Sequence, residues 1–267
     1  VNDMNLDNRR EQLLNFLRRH GKTSVNELAK IFKTSGATIR SDLRSLEEEA
    51  LVIRRYGAAE ACQTPLVHHE DRSMDEKQSV NLEMKCQIAQ MAASLVHEGE
   101  SIILDCGSTT LQMVPHFDRL ASLTLMTNSM HIVNAMADLE TEHTVLMPGG
   151  TYRRKSASFH GQVAEQAFQH FSFDKLFIGA DGFDLKQGTT TYNEAYQVSQ
   201  AMCDAANQII VVTDSSKFGR RSPNVVVPLE KIDILITDHR ISTECVESLE
   251  HKGIRVICVG ESSFIKS

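Results

Sequence analysis

The spacing of apolar positions divides this chain into two unlike stretches. Up to about residue 60 they recur at helical intervals: Leu13, Leu14 and Leu17 with Phe16 beside them, then Leu28, Ile31 and Phe32, then Ile39, Leu43 and Leu46. Beyond about residue 80 they gather in short runs separated by helical stretches. The runs are Ile102–Leu104, Leu123–Met126, Thr144–Met147, Leu176–Ile178, Ile209–Val212, Ile234–Ile236 and Val256–Val259. The first pattern predicts three short helices. The second predicts strands buried on both faces, because a strand with one wet face alternates apolar and polar residues.

Local signals sharpen the first stretch. Ser24 and Glu27 have capping-box spacing, and Ser35 is a second N-cap candidate. Val52 to Tyr56 reads as a strand and Gly57 as a turn. Two capped helices at turn spacing followed by a basic hairpin describe a winged helix-turn-helix, whose partner is double-stranded operator DNA. With Ile39, Leu43 and Leu46 facing inward, the outer face of the second helix carries Ala37, Thr38, Arg40, Ser41 and Arg44. Arg40 and Arg44 are the candidates for base or phosphate contacts, since a guanidinium pairs bidentately with guanine. Ser35, Ala37, Thr38 and Ser41 complete that surface, while Arg54 and Arg55 on the hairpin are candidates for phosphates or the minor-groove edge.

Residues 61–78 lack periodicity and read as a linker, which gives a DNA-binding domain over 1–60 and a second domain over 79–267. A helix from about Val80 to His97 opens the second domain, and strands alternating with helices predict a mostly parallel sheet covered on both faces. Ligands of such sheets sit outside the carboxyl ends of the strands. Four small polar loops follow strands there: Asp105 to Thr110, Thr127-Asn128-Ser129, Pro148-Gly149-Gly150 and Gly179-Ala180-Asp181-Gly182. Gly107 lets the backbone come near a ligand, and Ser108, Thr109 and Thr110 add hydroxyls to the free amides of a helix start, which suits a phosphate. Each loop alone also reads as ordinary capping or turn formation; four at one sheet edge predict an anion or sugar-phosphate site. Arg153, Arg154 and Lys155 either draw an anion inward or form a solvated cluster.

Composition adjusts this picture. The 267 residues carry a formal charge of −7. The first 60 hold eleven Lys/Arg against nine Asp/Glu, and the remainder seventeen against twenty-six. A protein that coats nucleic acid indiscriminately is excluded, and DNA binding has to rest on a specific site and paired domains. Glu47, Glu48 and Glu49 read as a solvated helix end. Six scattered cysteines without a Cys-x-x-Cys pair and without a secretory signal predict reduced thiols in a cytoplasm, Cys106 being a small buried residue. Eleven histidines show no zinc spacing, and no run of 18 apolar residues predicts a membrane span. Neither metal nor cofactor is called for.

Ser35, Thr38, Ile39, Arg40, Asp42 and Leu43 match the Ser-x-x-Thr-Ile-Arg-Arg-Asp-Leu signature of the DeoR family of bacterial transcriptional regulators, which the chain resembles from about Arg9 to Gly260. Ser41 stands where that family has a second Arg, and Ala58 where it has a second Gly. The Asp105–Thr110, Thr127–Ser129, Pro148–Gly150, Gly179–Gly182 and Asp214–Gly219 motifs carry the resemblance through the second domain. It implies a fold related to ribose-5-phosphate isomerase, a homodimer or homotetramer, and a cytoplasmic, nucleoid-associated regulator. Thr109–Pro115, Lys155–Gly161 and Arg221–Val226 look like glucitol (sorbitol) operon repressors, which implies glucitol 6-phosphate or a similar acyclic sugar phosphate as effector. By the same resemblance Gly107, Ser108, Thr109 and Thr110 hold the phosphate and Thr127, Asn128 and Ser129 face it. Asp181 and Glu194 accept sugar hydroxyls and Lys217 reaches the phosphate or a sugar oxygen. The plainer readings are a turn former at Asp181, a helix cap at Glu194 and a surface cation at Lys217. A sugar-phosphate isomerase or deaminase with an added DNA-binding domain is the competing class; the N-terminal domain favours the regulator, since an enzyme has no need of it.

Overall fold

The computed structural model describes residues 3–48, 52–55, 57–61, 73–193 and 197–260, in two units spanning residues 1–67 and 68–267. The N-terminal unit runs α1 (Asp3–His20), β1 (Thr23–Ser24), α2 (Val25–Ile31), α3 (Gly36–Glu48), β2 (Val52–Arg55) and β3 (Ala58–Ala61), with β3 in the middle of its small antiparallel sheet. Leu13, Leu17, Leu28, Ile39 and Leu43 form its core. Ile31, expected inside, is 45% exposed. The helix is only two turns long, and Val25 and Leu28 already fill its inner face, so Ile31 ends it on the outside.

Asp42 of the signature is a structural residue. It is buried on the inner side of α3, and its carboxylate accepts Arg9 Nε at 2.7 Å and Nη2 at 3.0 Å, tying α3 to α1. The left-handed turn residue of the hairpin is Gly57, with φ of 76°, whereas Ala58 pairs with Arg55 as ordinary strand. An alanine at 58 therefore meets no strain.

The C-terminal unit opens with α4 (Met74–Ser79) and α5 (Leu82–Ser94). Part of the stretch expected to be linker is thus helical. A capping box fixes its start, in which Ser73 Oγ accepts the Glu76 amide and Glu76 accepts the Ser73 amide. Six residues are too few for an apolar period to show. Asn81, left-handed with φ of 55°, breaks the two helices apart, so the long helix starts later than Val80 and ends before His97.

The chain continues through β4 (Ser101–Leu104), α6 (Ser108–Leu111), β5 (Thr124–Thr127), α7 (Met130–Ala137), β6 (Thr144–Leu146), a hairpin of β7 (Thr151–Arg153) and β8 (Ser158–His160), and α8 (Gln162–Gln169). Then follow β9 (Phe173–Ile178), β10 (Gly182–Asp184), β11 (Gly188–Thr191), α9 (Gln197–Asp204), β12 (Ala206–Val212), β13 (Asn224–Pro228), β14 (Ile234–Asp238), α10 (Thr243–Glu250) and β15 (Arg255–Val259). All seven apolar runs become strands of one sheet in the order β15-β14-β12-β9-β4-β5-β6, parallel throughout. Successive side chains enter opposite layers. Ile102 and Leu104 pack with Ile88, Ala92 and Phe117, whereas Ile103 and Leu176 pack with Phe168 and Met202. That is why the runs are continuous rather than alternating.

From β4 the chain builds outward through β5 to β6, then returns to β9 and builds the other way. The order reverses between β4 and β9, and the loops leaving their carboxyl ends diverge there. Among the described residues no helix is long and apolar enough to cross a membrane, and the five described cysteines are free thiols.

In denaturant unfolding of the full chain, Leu43→Ala is expected to cost about 2–5 kcal/mol, the loss typical of a fully buried leucine. Ile31→Ala is expected to cost only about 0.5 kcal/mol. Equal losses would mean that Ile31 is core after all.

Candidate functional site

A cavity of about 240 Å³ opens at the β4–β9 switch. Its floor is the loop that follows β4. Asp105 organises that loop: Oδ1 accepts the Gly107 amide at 2.9 Å and the Thr110 hydroxyl at 2.8 Å, and Oδ2 accepts the Gly179 amide at 3.0 Å. The carboxylate thereby joins the loop after β4 to the loop after β9. Burial pushes its pKa up against those three donors. Gly107 is required by the clamp itself, since a Cβ there would lie 2.8 Å from Asp105 Oδ1 and 3.1 Å from Thr110 Oγ1.

Of the residues expected at the ligand, Asp105, Gly107, Ser108, Thr109, Asp181 and Lys217 line this cavity. Thr110 is turned back onto Asp105. Gly182 begins β10 and packs against the Arg220 carbonyl, where a Cβ would approach to 2.6 Å. Thr127, Asn128 and Ser129 are buried beside the β7–β8 hairpin: Thr127 Oγ1 accepts the Ser129 amide, Asn128 Nδ2 donates to the Phe159 carbonyl, and Ser129 caps α7. Gly149 and Gly150 are exposed and turn the chain into β7. Neither loop walls the cavity: Thr127, Asn128 and Ser129 are buried against the hairpin, and Gly149 and Gly150 face outward. Glu194 lies outside the described residues.

Lysines that the sequence reading did not assign complete the wall. Lys77, on α4, donates to Asp181 Oδ1 at 2.7 Å, and Thr191 Oγ1 donates to Oδ2 at 2.7 Å. Burial alone would raise the Asp181 pKa, but Lys77, Thr191 and Lys217 together hold the carboxyl below the usual range. Lys85, on α5, is 4% exposed and donates to the Lys77 carbonyl. Burial lowers its pKa, and Lys77 adds to the effect while Asp214 opposes it. Asp214 in turn accepts Asn81 Nδ2 at 3.0 Å. Lys217 has no carboxylate at ion-pair distance among the described residues; burial, then the neighbouring Arg220, pushes it down from 10.5 to about 8. Burial pushes the Cys106 thiol up to about 11, so it stays protonated and unreactive. A signal for Lys85 was present in the sequence: it occupies the core-facing position three and four residues before Ile88 and Ala89, where an unpaired charge is costly unless a site uses it.

The DNA-binding candidates lie on α3 and the hairpin. Ala37, Arg40, Ser41 and Arg44 are exposed. Ser35 Oγ accepts the Thr38 amide at 3.1 Å and sits 2.8 Å from Thr38 Oγ1, so both hydroxyls serve the helix start. Arg54 donates to Glu47 Oε2 at 2.6 Å, which gives the acidic run a local partner. The Arg55 backbone belongs to β2, and its side chain is outside the description.

Residues 9–65 match the DeoR-like helix-turn-helix domain and residues 80–239 the DeoR C terminal sensor domain. The chain belongs to the DeoR family. It is 40% identical to a putative aga operon transcriptional repressor of Escherichia coli O157:H7, over 95% of this chain and 94% of that protein. It is 33% identical to the HTH-type transcriptional regulator GlpR of Haloferax volcanii, over 88% and 90%. Among solved structures, ribose 5-phosphate isomerase A of Methanocaldococcus jannaschii aligns with 52% of this chain and 55% of its own, at 18% identity and a TM-score of 0.38. The parallel sheet from β4 to β14 thus belongs to a DeoR-family sensor domain and not to an enzyme.

An anion held by Lys217 is expected to bind the protonated amine. The folded chain releases that proton near pH 8, while the unfolded chain keeps it to about 10.4. The unfolded state then holds the extra proton between these values, so the fold gains stability as pH rises through the window. Anion affinity runs the opposite way: calorimetry with inorganic phosphate, once the second ionisation of the phosphate itself is allowed for, should show affinity falling up to tenfold per unit above about pH 8. Lys217→Arg should flatten the profile. A profile that is already flat in the parent chain would remove Lys217 from the site.

Proposed function

We propose that this DeoR-family regulator represses a sugar-utilisation operon and leaves its operator when a phosphorylated sugar fills the cavity at the β4–β9 switch. One observation carries the reading. Five cationic side chains and three carboxylates line that cavity, although acidic residues outnumber basic ones in the unit around it. Two of the three carboxylates are already answered, Asp105 by amides and a hydroxyl and Asp181 by Lys77. The surplus is positive and suits a phosphate dianion. The Ser108 and Thr109 amides and the Lys85 and Lys217 ammonium groups seat the phosphate, on the turn that Gly107 makes. Asp181 accepts sugar hydroxyls, and Lys77 turns from it toward the ligand.

The effector we favour is glucitol 6-phosphate or a similar acyclic sugar phosphate, on the resemblance of Thr109–Pro115, Lys155–Gly161 and Arg221–Val226. The repressing sign is supported by the name of the relative at 40% identity. Arg40 and Arg44 hold the operator, with Ala37, Thr38 and Ser41 beside them and Arg54 and Arg55 on the wing. A homodimer or homotetramer sets two α3 helices on half-sites about 34 Å apart. Because α4 is the first helix after the DNA-binding unit among the described residues, a ligand that draws Lys77 from Asp181 acts on the chain that leads back to that unit. A coupling of about 1–3 kcal/mol changes operator affinity about 5–150-fold, provided that the ligand binds the DNA-free arrangement better.

Titration of the adjacent promoter at fixed salt, with and without a panel of sugar phosphates, tests the whole reading. One of them should release the DNA; release by none, or steady turnover of any, overturns it. Arg40→Ala should weaken specific binding by about 1–3 kcal/mol if Arg40 reads a base. Thr109→Asp, which puts a negative charge into the phosphate seat, should still hold the operator but no longer let go; normal induction would mean the phosphate binds elsewhere.

A further inference from the structure

The β7–β8 hairpin brings a hydrogen-bonded chain of side chains to the cavity that the phosphate seat does not use. Ser156, at the hairpin tip, lines the cavity. Ser158 Oγ donates to Ser156 Oγ at 2.7 Å, and His160 Nε2 lies 2.8 Å from Ser158 Oγ. Ser158 is fully buried and His160 nearly so. A hydroxyl has one proton. With the Ser158 proton given to Ser156, His160 supplies N–H to Ser158, which fixes the Nε2–H tautomer. Ser156 Oγ lies 3.5 Å from the same His160 Nε2 and accepts from that N–H only weakly, which leaves its own proton for a partner in the cavity. Donors in such a chain polarise one another, so Ser156 is a stronger donor than an isolated serine. The Cys106 thiol, also in contact with Ser158, stays neutral and does not compete as an anion.

The surroundings hold this chain in place. The Phe159 amide donates to the Asn128 carbonyl at 2.9 Å, Asn128 Nδ2 donates to the Phe159 carbonyl at 3.0 Å, and the Met130 amide donates to the Ala157 carbonyl at 2.9 Å. Ser129 bridges Ser158. At the hairpin base, a Cβ on Gly150 would lie 2.5 Å from the His160 carbonyl, so only glycine lets the strands close there. Ala157, between the two serines, is held left-handed at φ of 45°, a conformation that costs about 1–2 kcal/mol and persists only where neighbours impose it. The Thr127–Ser129 and Gly149–Gly150 loops, which do not wall the cavity, thus anchor the element that brings Ser156 to it.

We infer that Ser156 is a specificity-determining residue that donates to an oxygen of the sugar part of the effector, with Ser158 and His160 as its positioning residues. This rests on the sugar-phosphate reading of the cavity. Charged groups from α4, α5 and the turn after β12, with Arg153 at the end of β7, serve the phosphate; the Ser156 hydroxyl reads what is attached to it.

The test uses the full chain, inorganic phosphate, and a panel of hexitol, hexose and aminohexose 6-phosphates, with affinities from calorimetry. Ser156→Ala should lose about tenfold in affinity for the preferred sugar phosphate, the usual weight of one buried hydrogen bond, while the inorganic phosphate affinity stays with the parent. Ser156→Thr, which restores a hydroxyl, should recover most of the loss. His160→Phe should lower sugar-phosphate affinity in the same direction through its N–H. The inference is overturned if Ser156→Ala keeps the order and strength of the panel. It is equally overturned if phosphate affinity falls in parallel, since Ser156 then belongs to the phosphate seat. Failure of the parent chain to bind phosphate and every sugar phosphate would instead bring down the effector reading itself, and this inference with it.

Discussion

The clamp made by Asp105 is the constraint on which the C-terminal unit's site depends. A parallel sheet whose strand order reverses leaves a gap between two diverging loops, and that gap is useful only if its edges are fixed. One half-buried carboxylate fixes both, Oδ1 gathering Gly107 and Thr110 and Oδ2 reaching Gly179. Every acceptor direction it uses is filled by a donor from the protein, which is what a charge in that position requires. The loop amides, the start of α6 and the path to Asp181 all take their positions from it.

Around this frame the structure separates two kinds of polar residue that look alike in a motif. Some face the cavity: Ser108, Thr109, Asp181, Lys217. Others, equally polar and equally close to strand ends, face the protein. Asn128 and Ser129 are completely enclosed, and Asp42 in the N-terminal unit is enclosed against Arg9. Their importance is architectural. Asp42 fixes the pose of α3, and Asn128 fixes the pose of the hairpin that carries Ser156. The lysines show the complementary case. Lys77 and Lys85 belong to helices that read as linker and core, yet both reach the cavity, because α4 and α5 pack beside α6.

The sequence by itself determined much of the architecture. Continuous apolar runs require strands covered on both faces, and all seven were found in one parallel sheet. The capped helices and the inward spacing of Ile39, Leu43 and Leu46 required a three-helix core, and these residues are buried. Such features are legible because periodicity and capping act between residues a few positions apart. What only the tertiary structure decided is which polar groups meet across long separations. Lys77 and Asp181 are 104 positions apart and Asn81 and Asp214 are 133 apart. Whether Thr127 faces a ligand or a hairpin, whether Ile31 is inside or outside, and whether Ser156 reaches the cavity depend on neighbours distant in the chain. Local sequence sets the elements; burial and pairing between elements set the direction of each polar side chain, and that direction determines what the cavity can bind.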